Sequence, residues 1–208
     1  MSNDPDLDSA YALKTPEDSV RLYRDWAQSY DADFADASGY VLHEEVARHY
    51  VTMGGFGPVL DVGAGTGLCG IALRARGIEP VDGTDISPEM LSVAKGKAAY
   101  RHLFPGNLLD GLTLPDGPYQ GLVSSGTFTH GHVGPGGIDP VMDAVRPGGW
   151  IVLSVNAAHH QAAGFADRVA QLDGEITDVS QTEVAIYGPD AQGPHAQDTA
   201  LLLAFRKA

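Results

Sequence analysis

Short apolar runs that stop at a carboxylate, a serine or a glycine alternate along the chain with longer segments whose apolar residues recur every three or four positions. The first pattern suits buried strands and the second suits helices packed on a sheet, so the alternation predicts an α/β chain. Near the N-terminus, Thr15-Pro-Glu-Asp18 supplies a capping threonine, a proline for the first helical turn and a capping-box acid. Val20, Tyr23, Trp26, Ala27 and Tyr30 then share one face of a helix expected from about Glu17 to Ser29, and Tyr40 to Val51 predicts a second helix. Val59–Val62 is the first strand, Leu68–Arg76 the first crossover helix ended by Gly77, and Val81–Asp85 the second strand. Ser87 and Pro88 open a helix to Ala99, and Tyr119–Ser124 is the fourth strand. A short helix at Val141–Val145, a fifth strand at Trp150–Val155 and a helix from His159 to about Leu172 follow. Residues 175–187 and 199–205 close the chain as β structure.

The stretch Val59-Leu-Asp-Val-Gly-Ala-Gly-Thr-Gly-Leu-Cys-Gly70 organises the rest, because a buried strand there passes through a glycine turn directly into a helix. Glycines let the backbone turn and approach a ligand, whose polar groups meet free amides at the start of the helix. Gly65-Thr-Gly67-Leu-Cys-Gly70 fits the dinucleotide pattern G-x-G-x-x-G, and Asp85 follows Gly65 by 20 positions, where a ribose-binding acid is expected. Asp61, inside the strand, bears on the choice of ligand. A pyrophosphate at this turn would be repelled by its carboxylate, whereas an ammonium or sulfonium group would be attracted. A packing turn alone accounts for the glycines and leaves Asp61 unexplained. Asp82, in the middle of the second strand, reads as a face residue rather than a ligand-binding acid.

Composition narrows the partners. The 208 residues are 43% hydrophobic, enough for one sizeable core, and 13 basic against 27 acidic side chains give a net charge of −14. That balance argues against a protein that neutralises a phosphate backbone and favours small molecules or proteins as substrates. The one cysteine, Cys69, reads as core filling one turn into the first crossover helix. The acidic, polar Met1–Asp8 segment does not resemble a signal peptide, and no apolar run approaches the ~20 residues that span a bilayer, so a cytoplasmic protein is expected. Oligomeric state is open.

Several of these segments resemble the class I S-adenosylmethionine-dependent methyltransferases. Val59-Leu-Asp-Val-Gly-Ala-Gly-Thr-Gly67 resembles their first motif, and Asp85-Ile-Ser-Pro-Glu-Met-Leu91 a common spelling of their second. Arg146-Pro-Gly-Gly149 resembles the turn before their fifth strand, and Trp26-Ala-Gln-Ser-Tyr-Asp31 the W-A-x-x-Y-D segment ahead of the cofactor domain in many small-molecule members. The pattern is similar above all to the small methyltransferases related to the Williams-Beuren syndrome region protein.

The resemblance implies a Rossmann-like doubly wound sheet of seven strands, mostly parallel with an antiparallel last strand. It also implies a single domain over 1–208, with 1–54 as a helical lid and 55–208 as the cofactor-binding core. The cofactor would be S-adenosyl-L-methionine and the product S-adenosyl-L-homocysteine. Their implied contacts are Tyr30, Asp61, Gly63, Ala64, Gly65, Asp85, Ile86, Asn107, Leu108, Ser124, Ser125 and Gly126. Asn107 stands where the family usually writes the aspartate that accepts the adenine amino group, and its side-chain oxygen can do the same. The loop Ser124–Gly137 would pass beside the transferable methyl group. His132, followed by Val133, is the candidate base there, with His130 beside it, although a hydrogen-bonded loop role fits both. His130-x-His132 is half of a tetrahedral metal set and nothing supplies the rest, so no metal is expected. Two other functions stay open: a nicotinamide-dependent oxidoreductase and a non-catalytic binder of S-adenosylmethionine or its product.

Overall fold

The computed structural model describes residues 16–208. Thr15 and the Met1–Asp8 segment lie outside them. The first described element is helix α1 (Pro16–Trp26), followed by a wide helical turn at Asp31–Asp36 and helix α2 (Leu42–Thr52). Strand β1 (Val59–Val62), helix α3 (Leu68–Ala75), strand β2 (Val81–Asp85), helix α4 (Pro88–Gly96) and strand β3 (Leu103–Pro105) form the first half of the sheet. The second half is built from β4 (Tyr119–Phe128), α5 (Ile138–Asp143), β5 (Val145–Asn156), α6 (Ala157–Ala163), α7 (Phe165–Gln171), β6 (Ile176–Ala185) and β7 (Thr199–Lys207).

The seven strands lie in the order β3-β2-β1-β4-β5-β7-β6. β1 to β5 are parallel, and β7 runs antiparallel to both β5 and β6. The expected α/β sheet with one antiparallel strand is therefore the observed one. Period-two alternation along the strands feeds two buried layers. Val59, Val123, Val152 and Leu202 face α2 and α3, while Leu60, Leu122, Ile151 and Leu203 face α5 and α7.

The observed elements differ from the expected ones where glycine or a strand irregularity intervenes. β4 continues past Ser124 to Phe128, with its register against β5 shifting between those two residues. The expected loop therefore begins four residues later. The helix predicted from His159 to Leu172 is broken at Gly164, whose φ of +83° separates α6 from α7. Arg146-Pro-Gly-Gly149 is included in β5. Tyr40 makes an isolated bridge to Tyr187 ahead of α2. The other difference concerns the lid. Val46, Ala47 and Tyr50 of α2 are fully buried in the layer against the sheet, so α2 is part of the core rather than of a cover. Tyr23 of α1, Tyr30, Tyr40 and His43 of α2 stand at the sheet's carboxyl edge.

Candidate active site

The glycine turn sits at the carboxyl edge of β1, the edge at which doubly wound sheets bind ligands. Gly63 and Ala64 both donate N–H groups to the carbonyl of Thr84 (2.9 and 3.0 Å), and the Gly65 N–H donates to the Asp85 carboxylate (2.8 Å). Gly63 has a φ of +72°, and a Cβ there would lie 1.9 Å from the Thr127 hydroxyl oxygen. Only glycine fits that position. The Ser87 N–H donates to the other Asp85 oxygen (2.9 Å), and the Ser87 hydroxyl caps α4 by accepting from the Met90 N–H. Burial raises the Asp85 carboxyl above its ordinary range, and the backbone amides of Ser87, Gly65 and Ile86 pull it partly back. Two amides hold the group at the lip of a cleft of about 1100 Å³, part of it open to solvent.

Of the residues implied by the resemblance, Tyr30, Gly63, Ala64, Gly65, Asp85, Ile86, Asn107, Leu108, Ser125 and Gly126 line this cleft. Asn107 also caps the short turn at Leu108–Asp110, its oxygen accepting from the Leu109 N–H and its amide donating to Asp110. Gly126 donates its N–H to the Ser154 hydroxyl, and Ser125 shares a hydrogen bond with the Tyr40 hydroxyl (3.1 Å).

Asp61, Ser124 and His130 are placed elsewhere. Asp61 has the same strand parity as Val59 and is fully buried on the α3 side. One of its oxygens accepts the Tyr100 hydroxyl (2.7 Å), which in turn accepts the Gly70 N–H (3.1 Å), and the other is buried without a partner. Burial pushes the Asp61 carboxyl up to about 7, the Tyr100 bond opposing the shift. Its charge therefore acts from behind the turn rather than from the cleft wall. Ser124 is fully buried and donates to the Val62 carbonyl (2.7 Å), fastening β4 to the end of β1. His130 is exposed, with its ring against His159 at 4.8 Å between centroids, and it borders neither cavity.

His132 does line the cleft, and its tautomer follows from its partners. Its Nδ1 lies 3.0 Å from the His130 carbonyl oxygen, which can only accept, so Nδ1 carries the proton. Nε2 is then the acceptor for the Tyr23 hydroxyl, 3.0 Å away. Burial lowers the His132 pKa below its ordinary value, leaving a neutral imidazole at pH 7.

Sequence reasoning missed three wall residues. Tyr23, read as one of several packing aromatics, reaches His132 from α1; Tyr40 and His43 complete the same side. Only their aromatic spacing could have signalled this. Tyr30 stands among Trp26, Phe34 and Tyr23 at ring separations of 5.2, 4.9 and 6.2 Å. Asp31, the last residue of the W-A-x-x-Y-D segment, accepts the Thr66 hydroxyl (2.5 Å) and pairs with Lys97, so one carboxylate ties the aromatic wall to the glycine turn. Asp82, expected as a face residue, is fully buried and held by Arg101, Tyr119 and the His102 N–H.

Comparison with known proteins fits this geometry. A family model described as a methyltransferase domain matches residues 59–149. Human methyltransferase-like protein 27 is 30% identical over 154 residues, 70% of this chain and 61% of that protein. The chain thus spans less than two thirds of that relative's length. Among solved structures, the complex of DhpI with S-adenosylhomocysteine superposes with a TM-score of 0.65 at 20% identity, covering 93% of this chain and 97% of that one. A TehB-like S-adenosylmethionine-dependent methyltransferase from Corynebacterium glutamicum gives 0.61 at 22% identity, covering 89% and 98%. The N-methyltransferase NodS from Bradyrhizobium japonicum, solved with S-adenosylhomocysteine, gives 0.58 at 19% identity, covering 79% and 85%. Those structural likenesses are likenesses of fold. Residues 59–149, from β1 to the start of β5, thus carry the methyltransferase-domain pattern, and the fold around them is similar to that of those methyltransferase structures.

Proposed function

We propose that the protein transfers a methyl group from S-adenosylmethionine to an oxygen or nitrogen of a small-molecule acceptor. The observation that carries this reading is the coupling of the glycine turn to Asp85, since one carboxylate is fixed by Gly65 and Ser87 amides while facing the cleft. Asp85 would hold the ribose hydroxyls, Ile86, Leu108 and Asn107 would hold the adenine, and Gly63 to Gly65 would hold the methionine end. The sulfonium supplies an already activated methyl carbon; the protein's part is to hold the acceptor about 3 Å from it and to take a proton where the acceptor has one. His132, neutral and with a proton-accepting Nε2 facing Tyr23, suits that second task.

The oxidoreductase alternative has the same G-x-G-x-x-G turn in its favour. It is weakened by the antiparallel β7 inserted between β5 and β6, because the dinucleotide fold orders its strands 3-2-1-4-5-6 without such an insertion. Calorimetric titration with S-adenosylhomocysteine and, separately, with NADH tests the choice: binding of the first alone supports methyl transfer, and binding of NADH alone rejects it. Turnover of labelled S-adenosylmethionine on hydroxyl, amine and carboxyl acceptors then tests catalysis against simple binding.

A further inference from the structure

A second cavity of about 610 Å³, part of it open to solvent, adjoins the cleft and shares Tyr23, Tyr30, Tyr40, Gly126 and His132 with it. Its remaining lining comes from α1 and the turn after it, the start of α2, the end of β4, the end of β5 and the segment after β6, so it lies under the aromatic wall. Its chemistry differs from that of the cleft. Among the described residues no aspartate, glutamate, lysine or arginine lines it, whereas Asp85 lines the cleft. Aromatic rings dominate: Trp26, Phe34, Phe128 and Tyr187 join the three shared tyrosines.

Most polar atoms on this wall are already bonded within the protein. The Ser154 hydroxyl accepts from Gly126, the Asn156 oxygen accepts from the His159 N–H, and the Tyr40 hydroxyl bonds to Ser125. Trp26 differs from these. It is 3% exposed, and its indole N–H is buried without a hydrogen-bond partner. A buried donor left unpaired is costly, and an indole N–H can only donate, so the site favours a ligand that brings an accepting atom. Trp150 has an unpaired indole N–H too, but it lies outside both cavities, beneath the Arg206 guanidinium at 4.7 Å.

We propose that this second cavity holds the methyl acceptor, and that the acceptor is a flat, uncharged aromatic molecule carrying a hydroxyl group. The assignment rests on the methyl-transfer reading above. An ammonium ligand has no lone pair for the Trp26 N–H, although ring faces would attract it. A carboxylate could accept from Trp26, but would lose its water with no cation in the lining and within a chain of net charge −14. A hydroxyl satisfies both sides: its oxygen accepts from Trp26, and its hydrogen faces Tyr23. In the reaction an oxygen–carbon bond forms as the sulfur–carbon bond breaks, and the sulfur keeps the bonding electron pair. The acceptor's proton passes to the Tyr23 oxygen while the Tyr23 proton passes to Nε2 of His132, leaving an imidazolium and a neutral thioether. Tyr23 thus touches the acceptor and relays its proton, and His132 acts through Tyr23.

The indole N–H resonances provide a readout independent of turnover. The chain has two tryptophans, and Trp150→Phe assigns the pair by removing one signal. With S-adenosylhomocysteine bound, the protein is titrated at neutral pH with 2-naphthol, 2-naphthoate and 2-naphthylmethylammonium. The Trp26 resonance should move downfield with 2-naphthol, at a dissociation constant at least about tenfold below those for the two ions, a difference of ~1.4 kcal/mol. Thr129 is a half-buried residue lining this cavity, and Thr129→Arg should shift the preference toward 2-naphthoate by about the same factor. Equal or tighter binding of either ion to the unaltered protein, a Trp26 signal unmoved by 2-naphthol, or a preference unchanged by Thr129→Arg overturns the proposal. Calorimetry on the same sample separates the two levels: if S-adenosylhomocysteine binds and 2-naphthol does not, the acceptor assignment alone fails. If S-adenosylhomocysteine itself does not bind, the methyl-transfer reading fails and the acceptor role falls with it.

Discussion

The two sides of the cleft are built differently. On the sheet side, Gly63, Ala64 and Gly65 are clamped by backbone hydrogen bonds to the end of β2, and the one charged group there, Asp85, is fixed by two amides. On the helical side, the contacts are ring against ring and hydroxyl against imidazole, and the charged tie between the two sides is Asp31 with Thr66 and Lys97. A backbone clamp presents the same donors whatever the ligand's outline, which suits a constant cofactor. An aromatic wall fits by shape, which suits a particular acceptor.

The sheet side should be the less tolerant of substitution. Gly63→Ala combines a left-handed φ with a Cβ 1.9 Å from the Thr127 oxygen and should cost roughly 3 to 5 kcal/mol, read from urea denaturation. A loss below about 1 kcal/mol would mean that the clamp yields.

The pH dependence of stability tests the layer beneath the clamp. Because the folded-state Asp61 carboxyl titrates at about 7 rather than 3.8, its contribution is fully present below pH 3.8 and is lost as the pH rises through 7. The loss is on the order of 4 kcal/mol, since each pKa unit corresponds to about 1.36 kcal/mol. Asp61→Asn keeps an oxygen for the Tyr100 hydroxyl and should flatten this slope between about pH 4 and 7. An unchanged slope would show that Asp61 ionises freely in the fold.

On the helical side, His132→Ala should lower kcat by roughly 10²-fold while leaving S-adenosylhomocysteine affinity almost unchanged. Loss of affinity with a near-normal kcat would make His132 part of the cofactor wall instead. Because burial lowers its pKa, wild-type kcat should fall only on the acid side of the ordinary histidine range and stay flat above it. The smallest effect belongs to the tie between the sides. Asp31→Asn should cost about 1 kcal/mol and speed amide exchange in residues 16–36 more than in α2, and equal acceleration in both would dissolve the division between wall and core.

The same contrast explains what was legible in the sequence. The strand–turn–helix units around Gly63 and Ser87 are specified by neighbouring residues, so β1, β2, their caps and Asp85 were readable from local pattern. Whether Asp61 or Ser124 faces the cleft depends on strand parity and on pairing with distant strands. Ser124 stands where the β4 register begins to shift, which no local signal marks. Tyr23 and His132 meet across 109 positions, so their hydrogen bond had no counterpart in spacing. The packing of α2 was not legible for a related reason: it has the amphipathic pattern of any covering helix, and only the fold reveals that its apolar face completes the core.

The central claim is that Asp85, fixed by the glycine turn, anchors the cofactor. Calorimetric titration of S-adenosylhomocysteine into Asp85→Ala and into the unaltered protein tests it most directly. Loss of two charge-assisted hydrogen bonds should weaken binding by about 3 kcal/mol, roughly 10²-fold, with the fold retained. Equal affinity in the two proteins would contradict the placement of the cofactor at this edge.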